Sequence, residues 1–179
     1  MLRPASLFLL SVLISSCVFA PEVTGPADRP APEPFTSISN LMFNFQLAHE
    51  ERDIELYRDC LDRGYQFYFD EDDVDAIGAD FLNREEDVAA MDQIFNSPEL
   101  VSLRFSYSTP ERIDTCWEDG SCASSLNTDW AEVTFWIEFE LTWIDRVERA
   151  CGPAIFDFYD DDSSVQIIRI QDRTGETQC

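Results

Sequence analysis

The chain contains a single histidine, His49, and imidazole is the side chain best suited to proton transfer near neutral pH. His49 stands at the end of a predicted helix and is followed directly by Glu50 and Glu51. It could act as a general base whose pKa is raised by these carboxylates. The alternative, which its place at a helix end favours, is a solvated residue with no catalytic role. One histidine without a G-x-S-x-G elbow gives no basis for a Ser-His-Asp arrangement.

Charged side chains also fall within predicted strands. Asp157 and Arg169 stand mid-strand on the two arms of a predicted hairpin, where they could face each other. They would form either a charge pair in a pocket or a cross-strand pair on an exposed face, and we favour the exposed pair. Glu138 and Glu140 alternate outward along another strand, which is typical of a solvated face.

An acidic run at residues 69–81, FDEDDVDAIGADF, is the candidate metal site. If Gly78 takes position six of an EF-hand loop, Ile77 falls at position five and Arg84 at position twelve, so the pattern fails twice. The carboxylates could still bind Ca²⁺ weakly, but a solvated charge run is the stronger expectation. There is also no C-x-x-C motif for zinc. We therefore predict no metal and no cofactor.

The six cysteines predict disulfides if the domain lies in an oxidising compartment. Cys116 and Cys122 enclose the short turn-rich loop WEDGS and are the first predicted pair. Cys151 and Cys179 flank the last strands and are the second. Cys60 lies on an apolar helix face, where a free thiol behaves as a small buried hydrophobe.

The N-terminal segment resembles a bacterial lipoprotein signal peptide. Arg3 precedes the largely apolar run LFLLSVLI at residues 7–14, which is far shorter than the ~20 residues of a membrane span. The order LISSC at residues 13–17 resembles a lipobox. The resemblance implies that residues 1–16 are removed and that Cys17 receives a diacylglyceryl group and an acylated amino terminus. Because Val18 rather than Asp follows, it also implies the outer membrane in a Gram-negative cell.

An ordinary signal peptide remains the alternative at this terminus. The order Val18-Phe19-Ala20 fits a small-x-small cleavage site, and cleavage there would release a soluble secreted or periplasmic protein. Five of residues 21–34 are proline, so residues 17–35 are predicted to be an extended tether. About 14 such residues at ~3.1 Å each would span roughly 40 Å.

Composition limits the partners of the domain, predicted at residues 36–179. The formal charge is −24, from 36 acidic residues against 12 basic residues that are all Arg. Such a surface repels phosphate, so we exclude nucleic acid as a partner and do not expect electrostatic adsorption to anionic lipid. Membrane association would come through the lipid anchor. Hydrophobic residues make up 45 % of the chain, which is ample for one core.

Three helices are predicted to position the residues described above. Apolar residues recur at helical spacing in residues 36–50, 53–63 and 84–97. Polar residues that can cap these helices precede each of them, namely Thr36 or Ser37, Asp53, and Asn83 with its capping-box partner Glu86. Gly64 is predicted to end the second helix.

Strands dominate the second half of the chain. A short aromatic strand is predicted at residues 65–69, and Val101, Leu103, Phe105 and Tyr107 alternate with polar residues. The longest alternating run, AEVTFWIEFELTWID at residues 131–145, places one face in the core and Trp136 on the other. The last predicted hairpin carries inward residues on both arms: Ala154, Phe156, Phe158, Ile168 and Ile170.

Two segments resemble the nuclear transport factor 2-like (SnoaL-like, cystatin-like) cone fold. The phrase NFQLAHEERDIELYRDCLDRGYQFYF at residues 44–69 is similar to the opening of that family, and VQIIRIQDR at residues 165–173 is similar to its final strand. The resemblance covers about residues 36–173. It implies an α+β domain with three N-terminal helices packed on a curved antiparallel sheet, and a pocket between the helices and the concave side of that sheet.

This resemblance allows either an enzymatic or a non-catalytic function. The family includes isomerases, dehydratases and cyclases that place an Asp or His in the cone as general base, and also many members without catalysis. With no convincing catalytic set, we predict a lipid-anchored cell-envelope protein whose domain binds or scaffolds without catalysis. The alternative is a small-molecule enzyme or carrier that uses the cone pocket. Trp136 on the open sheet face is the predicted contact for a protein partner or a second copy.

Overall fold

The computed structural model describes residues 30–71, 74, 77–108, 112–114, 130–160 and 163–173, with only the backbone described at 112–114, 130 and 131. The predicted signal peptide, Cys17, Cys116, Cys122 and Cys179 lie outside the described residues. The compact unit that contains the domain begins at Ala31. None of the helices in the described ranges has the length and apolar character needed to cross a bilayer.

Three helices form around the predicted apolar positions and caps. Helix α1 spans Ile38–Glu51, α2 spans Ile54–Cys60 and α3 spans Arg84–Phe95. The predicted caps are confirmed, since Ser37 and Asp53 accept from backbone N–H groups and Asn83 with Glu86 forms a complete capping box. The left-handed Arg52 (φ 56°) ends α1 and turns the chain into α2.

The prediction for the end of α2 was wrong. The helix stops at Cys60 rather than at residue 63, because Leu61 is fully buried and already pairs with Ile167 in the sheet. Gly64 therefore lies inside a strand, at an irregularity in strand pairing between Leu61 and Gln66, and not behind a helix. Burial of Leu61 against the sheet outweighs the helical spacing that continues through residues 61–63.

Seven strands within the described residues form one mixed sheet. They are β1 (Leu61–Tyr68), β2 (Phe81–Asn83), β3 (Leu100–Tyr107), β4 (Arg112–Asp114), β5 (Trp130–Trp143), β6 (Val147–Asp160) and β7 (Val165–Asp172). The order is β2-β1-β7-β6-β5-β3, and β4 pairs with β5. All pairings are antiparallel except β1 with β7, which is parallel. The predicted α+β class is confirmed, with this parallel pair added to the expected antiparallel sheet.

Two irregularities change which side chains face the core. In the β3–β5 pairing the register shifts between Leu100 and Ser102, so Leu100 is buried and Val101, predicted to be inward, is 61 % exposed. In the β6–β7 pairing the register shifts at Asp157, so Ile167 is buried in place of the predicted Ile168. Each bulge inserts one residue and thereby reverses the faces beyond it.

The residues that lead into α1 are fixed to the domain by side-chain amides. The backbone of Glu33 exchanges two hydrogen bonds of 2.7 Å with the side chain of Asn44, which is fully buried. Asn40 Nδ2 donates to the carbonyl of Pro34 at 2.9 Å, and the carbonyl of Phe35 accepts from Val165 of β7 at 2.8 Å. The last part of the predicted tether therefore contacts α1 and the sheet.

Candidate functional site: a cavity beneath the helices

A cavity of about 230 Å³ lies between the helices and the core face of the sheet. It is somewhat smaller than typical ligand pockets of ~300 Å³ and above. The lining is mostly aromatic and aliphatic: Phe45, Phe67, Met91, Phe105, Ile137, Phe139, Ala150, Ala154, Phe156 and Ile170. Its polar members are His49, Tyr57, Asp87 and Asp172. Helices α1, α2 and α3 each contribute to this lining.

His49 is one of the most buried residues of the domain, at 1 % exposure, so the prediction of a solvated helix-end residue was wrong. The physical reason is its spacing. His49 lies four residues after Phe45 and eight after Leu41, on the helix face that packs against the sheet. That spacing was available in the sequence, but the flanking Glu50 and Glu51 suggested a solvent-facing position.

Aromatic rings surround the imidazole of His49. The ring of Phe105 stacks on it at 5.0 Å, and those of Phe45, Tyr57 and Phe139 approach edge-on at 4.6, 5.2 and 5.3 Å. Nδ1 of His49 lies 2.7 Å from the carbonyl oxygen of Phe45. Because burial disfavours the charged ring, the pKa of His49 falls from 6.5 to about 4, even though the bond to Phe45 raises it. His49 is therefore a neutral imidazole at neutral pH.

Asp87 is the second ionisable group of the cavity, and it is not among the residues predicted from the sequence. Its carboxylate accepts a hydrogen bond of 2.6 Å from the hydroxyl of Tyr57. Burial raises the pKa of Asp87 to about 6, and the Tyr57 hydrogen bond acts in the opposite direction. In the sequence Asp87 resembles an ordinary first-turn acid of α3. The only signal was its spacing of four from Met91 and seven from Ile94, on the face turned to the core.

Tyr65 lies close to this carboxylate. Its hydroxyl is buried and makes no hydrogen bond within the described residues. Burial and the negative charge of Asp87 raise the pKa of Tyr65 well above its usual range. The pKa of Tyr57 is also raised well above its usual range, by burial first and then by the negative charge of Asp87. Both phenols therefore remain protonated near Asp87, and the hydroxyl of Tyr57 donates to its carboxylate.

Asp157 and Arg169 form the predicted cross-strand pair, but not on an exposed face. Arg169 Nε donates to Asp157 Oδ2, and the Asp157 side chain is only 3 % exposed. Burial raises the pKa of Asp157, and the opposite charge of Arg169 counteracts this shift. The pair is a structural ion pair of the β6–β7 hairpin, and neither residue lines the cavity.

The opposite face of β5 carries Trp136, which is 40 % exposed. It contributes to an open groove of about 550 Å³ that also involves Glu138, Glu140 and Arg149. Arg149 and Glu140 form an ion pair of 2.7 Å in which the arginine side chain is 65 % exposed. The exposed position predicted for Trp136 is thus present, while a partner for it is still a prediction.

The described cysteines are Cys60 and Cys151. Cys60 is free and fully buried, as predicted, and burial raises the pKa of its thiol. Cys151 is disulfide-bonded. Its partner lies outside the described residues, so the pairing with Cys179 stays a prediction, as does the Cys116–Cys122 bridge.

Solved structures with the same arrangement identify the fold. A protein from Novosphingobium aromaticivorans provisionally assigned as a scytalone dehydratase matches with a TM-score of 0.61 at 12 % identity, over 79 % of this chain and 84 % of its own. The domain has the nuclear transport factor 2-like fold. A nuclear transport factor 2-like protein from Cytophaga hutchinsonii matches with a TM-score of 0.53 at 16 % identity, over 75 % of this chain and 92 % of its own.

Function varies among proteins with the nuclear transport factor 2-like fold that resemble this chain. A hexachlorocyclohexane dehydrochlorinase matches with a TM-score of 0.55 at 7 % identity, over 75 % of this chain and 80 % of its own. A conserved protein from Planctomyces limnophilus matches with a TM-score of 0.57 at 17 % identity, over 76 % of this chain and 91 % of its own. No family model and no curated protein matches the sequence. At these identities the likeness defines the fold, and function must be argued from the site.

Proposed function

We propose that this chain is a lipid-anchored cell-envelope protein whose domain binds a small, largely apolar molecule in the cavity without converting it. The observation that carries the binding role is the cavity itself, an apolar space with a few fixed polar groups, which is typical of small-molecule sites. The anchor rests on the lipobox resemblance and on Cys17, followed by the Pro-rich segment.

The state of His49 favours binding over catalysis. A general base works best when its pKa lies near the working pH, and the pKa of His49 is about 4. In a Ser-His-Asp triad a carboxylate orients the histidine and stabilises its charged form, whereas Nδ1 of His49 contacts the neutral backbone carbonyl of Phe45. The imidazole is thus a weak base that is held in one orientation.

Binding is tested by calorimetric titration of the purified protein with toluene, an apolar probe the size of one ring. Wild-type protein should bind toluene, and Ala154→Leu should abolish binding, because Ala154 lines the cavity and is fully buried. Ser102→Leu is the matched control, because Ser102 is a half-buried residue of β3 that does not line the cavity. This variant should still bind toluene. If the wild-type protein binds neither toluene nor phenol, which is a ring of the same size with one hydroxyl, the binding role is overturned.

The anchor is tested by the intact mass of the mature protein from membrane and soluble fractions of its host. A mass that begins at Cys17 and includes acyl groups supports the anchor. A mass that begins at Pro21 would show ordinary secretion instead.

A second candidate, an isomerase-like or dehydratase-like enzyme, is favoured by one observation. Asp87 lines the same cavity with a pKa of about 6, which suits a general base. Acetophenone in D₂O is a suitable probe, because a general base would exchange its methyl protons for deuterium. Exchange that is catalysed by the wild-type protein and lost in Asp87→Asn would support the enzyme. Exchange at the buffer rate would support binding alone.

A further inference from the structure

The hydrogen bond of His49 fixes which ring nitrogen is free. Nδ1 lies 2.7 Å from the carbonyl oxygen of Phe45, and a carbonyl oxygen can only accept, so Nδ1 carries the proton. In a neutral imidazole the other nitrogen, Nε2, is then an acceptor with an unshared electron pair. No residue in the described part of the chain hydrogen-bonds to Nε2 of His49.

The surroundings of His49 hold it in that state. Rings of Phe45, Phe105 and Phe139 lie within 4.6–5.3 Å of the imidazole, and they offer no donor to Nε2. The ring of Tyr57 lies at 5.2 Å, but its hydroxyl donates to Asp87. His49 lines the cavity, so a molecule inside the cavity can reach the ring. A ligand with an O–H or N–H donor can form a hydrogen bond to Nε2 inside the cavity, whereas an apolar ligand of the same shape leaves Nε2 without one.

The other polar groups of the cavity differ from His49. Asp87 already accepts from the hydroxyl of Tyr57 at 2.6 Å. Asp172 is only half-buried, and it takes part in an interaction of its own. Among the described residues, His49 therefore gives this lining an acceptor, Nε2, that has no hydrogen bond to a protein donor.

The volume limits the size of the ligand. A cavity of roughly 150 Å³ lined by apolar side chains holds benzene. At about 230 Å³, this cavity has room for one six-membered ring and a few further atoms.

We propose that the cavity selects neutral, ring-sized molecules that carry an O–H or N–H donor, and that Nε2 of His49 accepts this hydrogen bond. The proposal rests on the proposed binding function and adds the chemical class of its ligand. His49 is then a residue that determines specificity rather than a proton-transfer group.

Phenol and toluene are matched probes, because they have nearly the same shape and differ in one donor. Calorimetry on the purified protein gives the ratio of their dissociation constants for wild type and for His49→Phe, which keeps an aromatic ring but no acceptor. Comparison of the two ratios cancels the difference in hydration between the probes. The preference for phenol should fall about tenfold in His49→Phe, the size expected when one buried hydrogen bond is lost.

Each outcome decides the proposal. If both probes bind and the ratio is the same in wild type and His49→Phe, the donor proposal is wrong while the binding function stands. If neither probe binds to the wild type, the binding function fails and the donor proposal fails with it. Should His49→Phe not fold, as judged by its circular dichroism, the wild-type ¹⁵N shift of Nε2 replaces it. A shift that phenol moves and toluene does not move supports the proposal, and the same response to both overturns it.

Discussion

The hydroxyl oxygen of Tyr57 lies 2.6 Å from Oδ2 of Asp87, and this hydrogen bond joins α2 to α3 at the edge of the cavity. Both residues are buried, so the hydroxyl and the carboxylate have little contact with bulk water. The bond therefore contributes to helix packing and also opposes the effect of burial on the pKa of Asp87. This pair links the stability of the domain to the chemistry of its cavity.

Replacement of Tyr57 by Phe should destabilise the domain by about 1–3 kcal/mol, because Asp87 loses its hydrogen-bond donor without gaining water. The pKa of Asp87 should rise above its value of about 6. Urea unfolding and the carboxyl ¹³C shift of Asp87 measure the two effects. Tyr68→Phe is the control, because the half-buried hydroxyl of Tyr68 donates to Gln66 at 2.9 Å outside the cavity. If Tyr57→Phe and Tyr68→Phe lower the free energy of unfolding equally, the Tyr57–Asp87 bond does not have this stabilising role.

The two ionisable groups of the cavity should give opposite dependences of stability on pH. The pKa of His49 is lowered from 6.5 to about 4 in the folded state. The contribution of His49 to the free energy of unfolding therefore falls as the pH decreases from 6.5 to about 4. The pKa of Asp87 is raised from 3.8 to about 6 in the folded state. The contribution of Asp87 to the free energy of unfolding therefore falls as the pH increases from 3.8 to about 6. Each effect amounts to about 3 kcal/mol across its window.

Variants at these two positions separate the opposing contributions. Relative to wild type, Asp87→Asn should become more stable as pH rises from about 4 to 6, and His49→Gln should become less stable over the same range. Urea unfolding at several pH values measures both differences, and the other carboxylates cancel in the comparison. Parallel curves for the three proteins would show that neither group titrates differently on folding.

Loss of Arg169 should destabilise the domain strongly. Arg169→Met leaves the carboxylate of Asp157 buried without its partner, which typically costs about 3–5 kcal/mol. Arg149→Met is the matched control, because it breaks an ion pair with Glu140 in which the arginine is largely exposed, worth at most about 1 kcal/mol. Thermal or urea unfolding compares them. If the two variants lose a similar amount of unfolding free energy, the burial of Asp157 does not increase the cost of removing its partner.

The cysteines of the domain should fall into two chemical classes, a buried free thiol and disulfide-bonded pairs. Cys60 should resist iodoacetamide in the folded protein and react in denaturant, because its thiol is fully buried and its pKa is raised. Peptide mapping without reductant should link Cys151 to Cys179. Arg173, six residues before Cys179, donates its backbone N–H to Pro153 at 3.2 Å, close to Cys151. A link from Cys151 to Cys116 or Cys122 would refute both predicted bridges.

Local signals in the sequence were sufficient for much of the fold. The caps at Ser37, Asp53 and Asn83 depend on side chains within three residues of the groups they bind, so sequence shows them directly. The alternation of β5 likewise predicts its buried face, with Val133 and Phe135 inward. The family resemblance added the correct arrangement of helices on the sheet.

Long-range packing explains what the sequence could not show. Val101 and Ile168 follow the alternation, but bulges shift the register, and a bulge depends on the partner strand. The shared cavity position of His49 and Asp87 was not predicted, for a related reason. Helical spacing places His49 and Asp87 on inward faces, yet their acidic neighbours in sequence suggested solvent, and only the packing of three helices brings them into one cavity.

The most direct test of this account is a ¹⁵N NMR titration of the imidazole of His49, which is unambiguous because the chain has one histidine. The account predicts a neutral ring with the proton on Nδ1, no titration between pH 8 and about 5, and a shift of Nε2 when phenol is added. A ring that titrates near pH 6.5, or an Nε2 signal unaffected by phenol, would contradict the assignment of His49 as the acceptor of a buried ligand site.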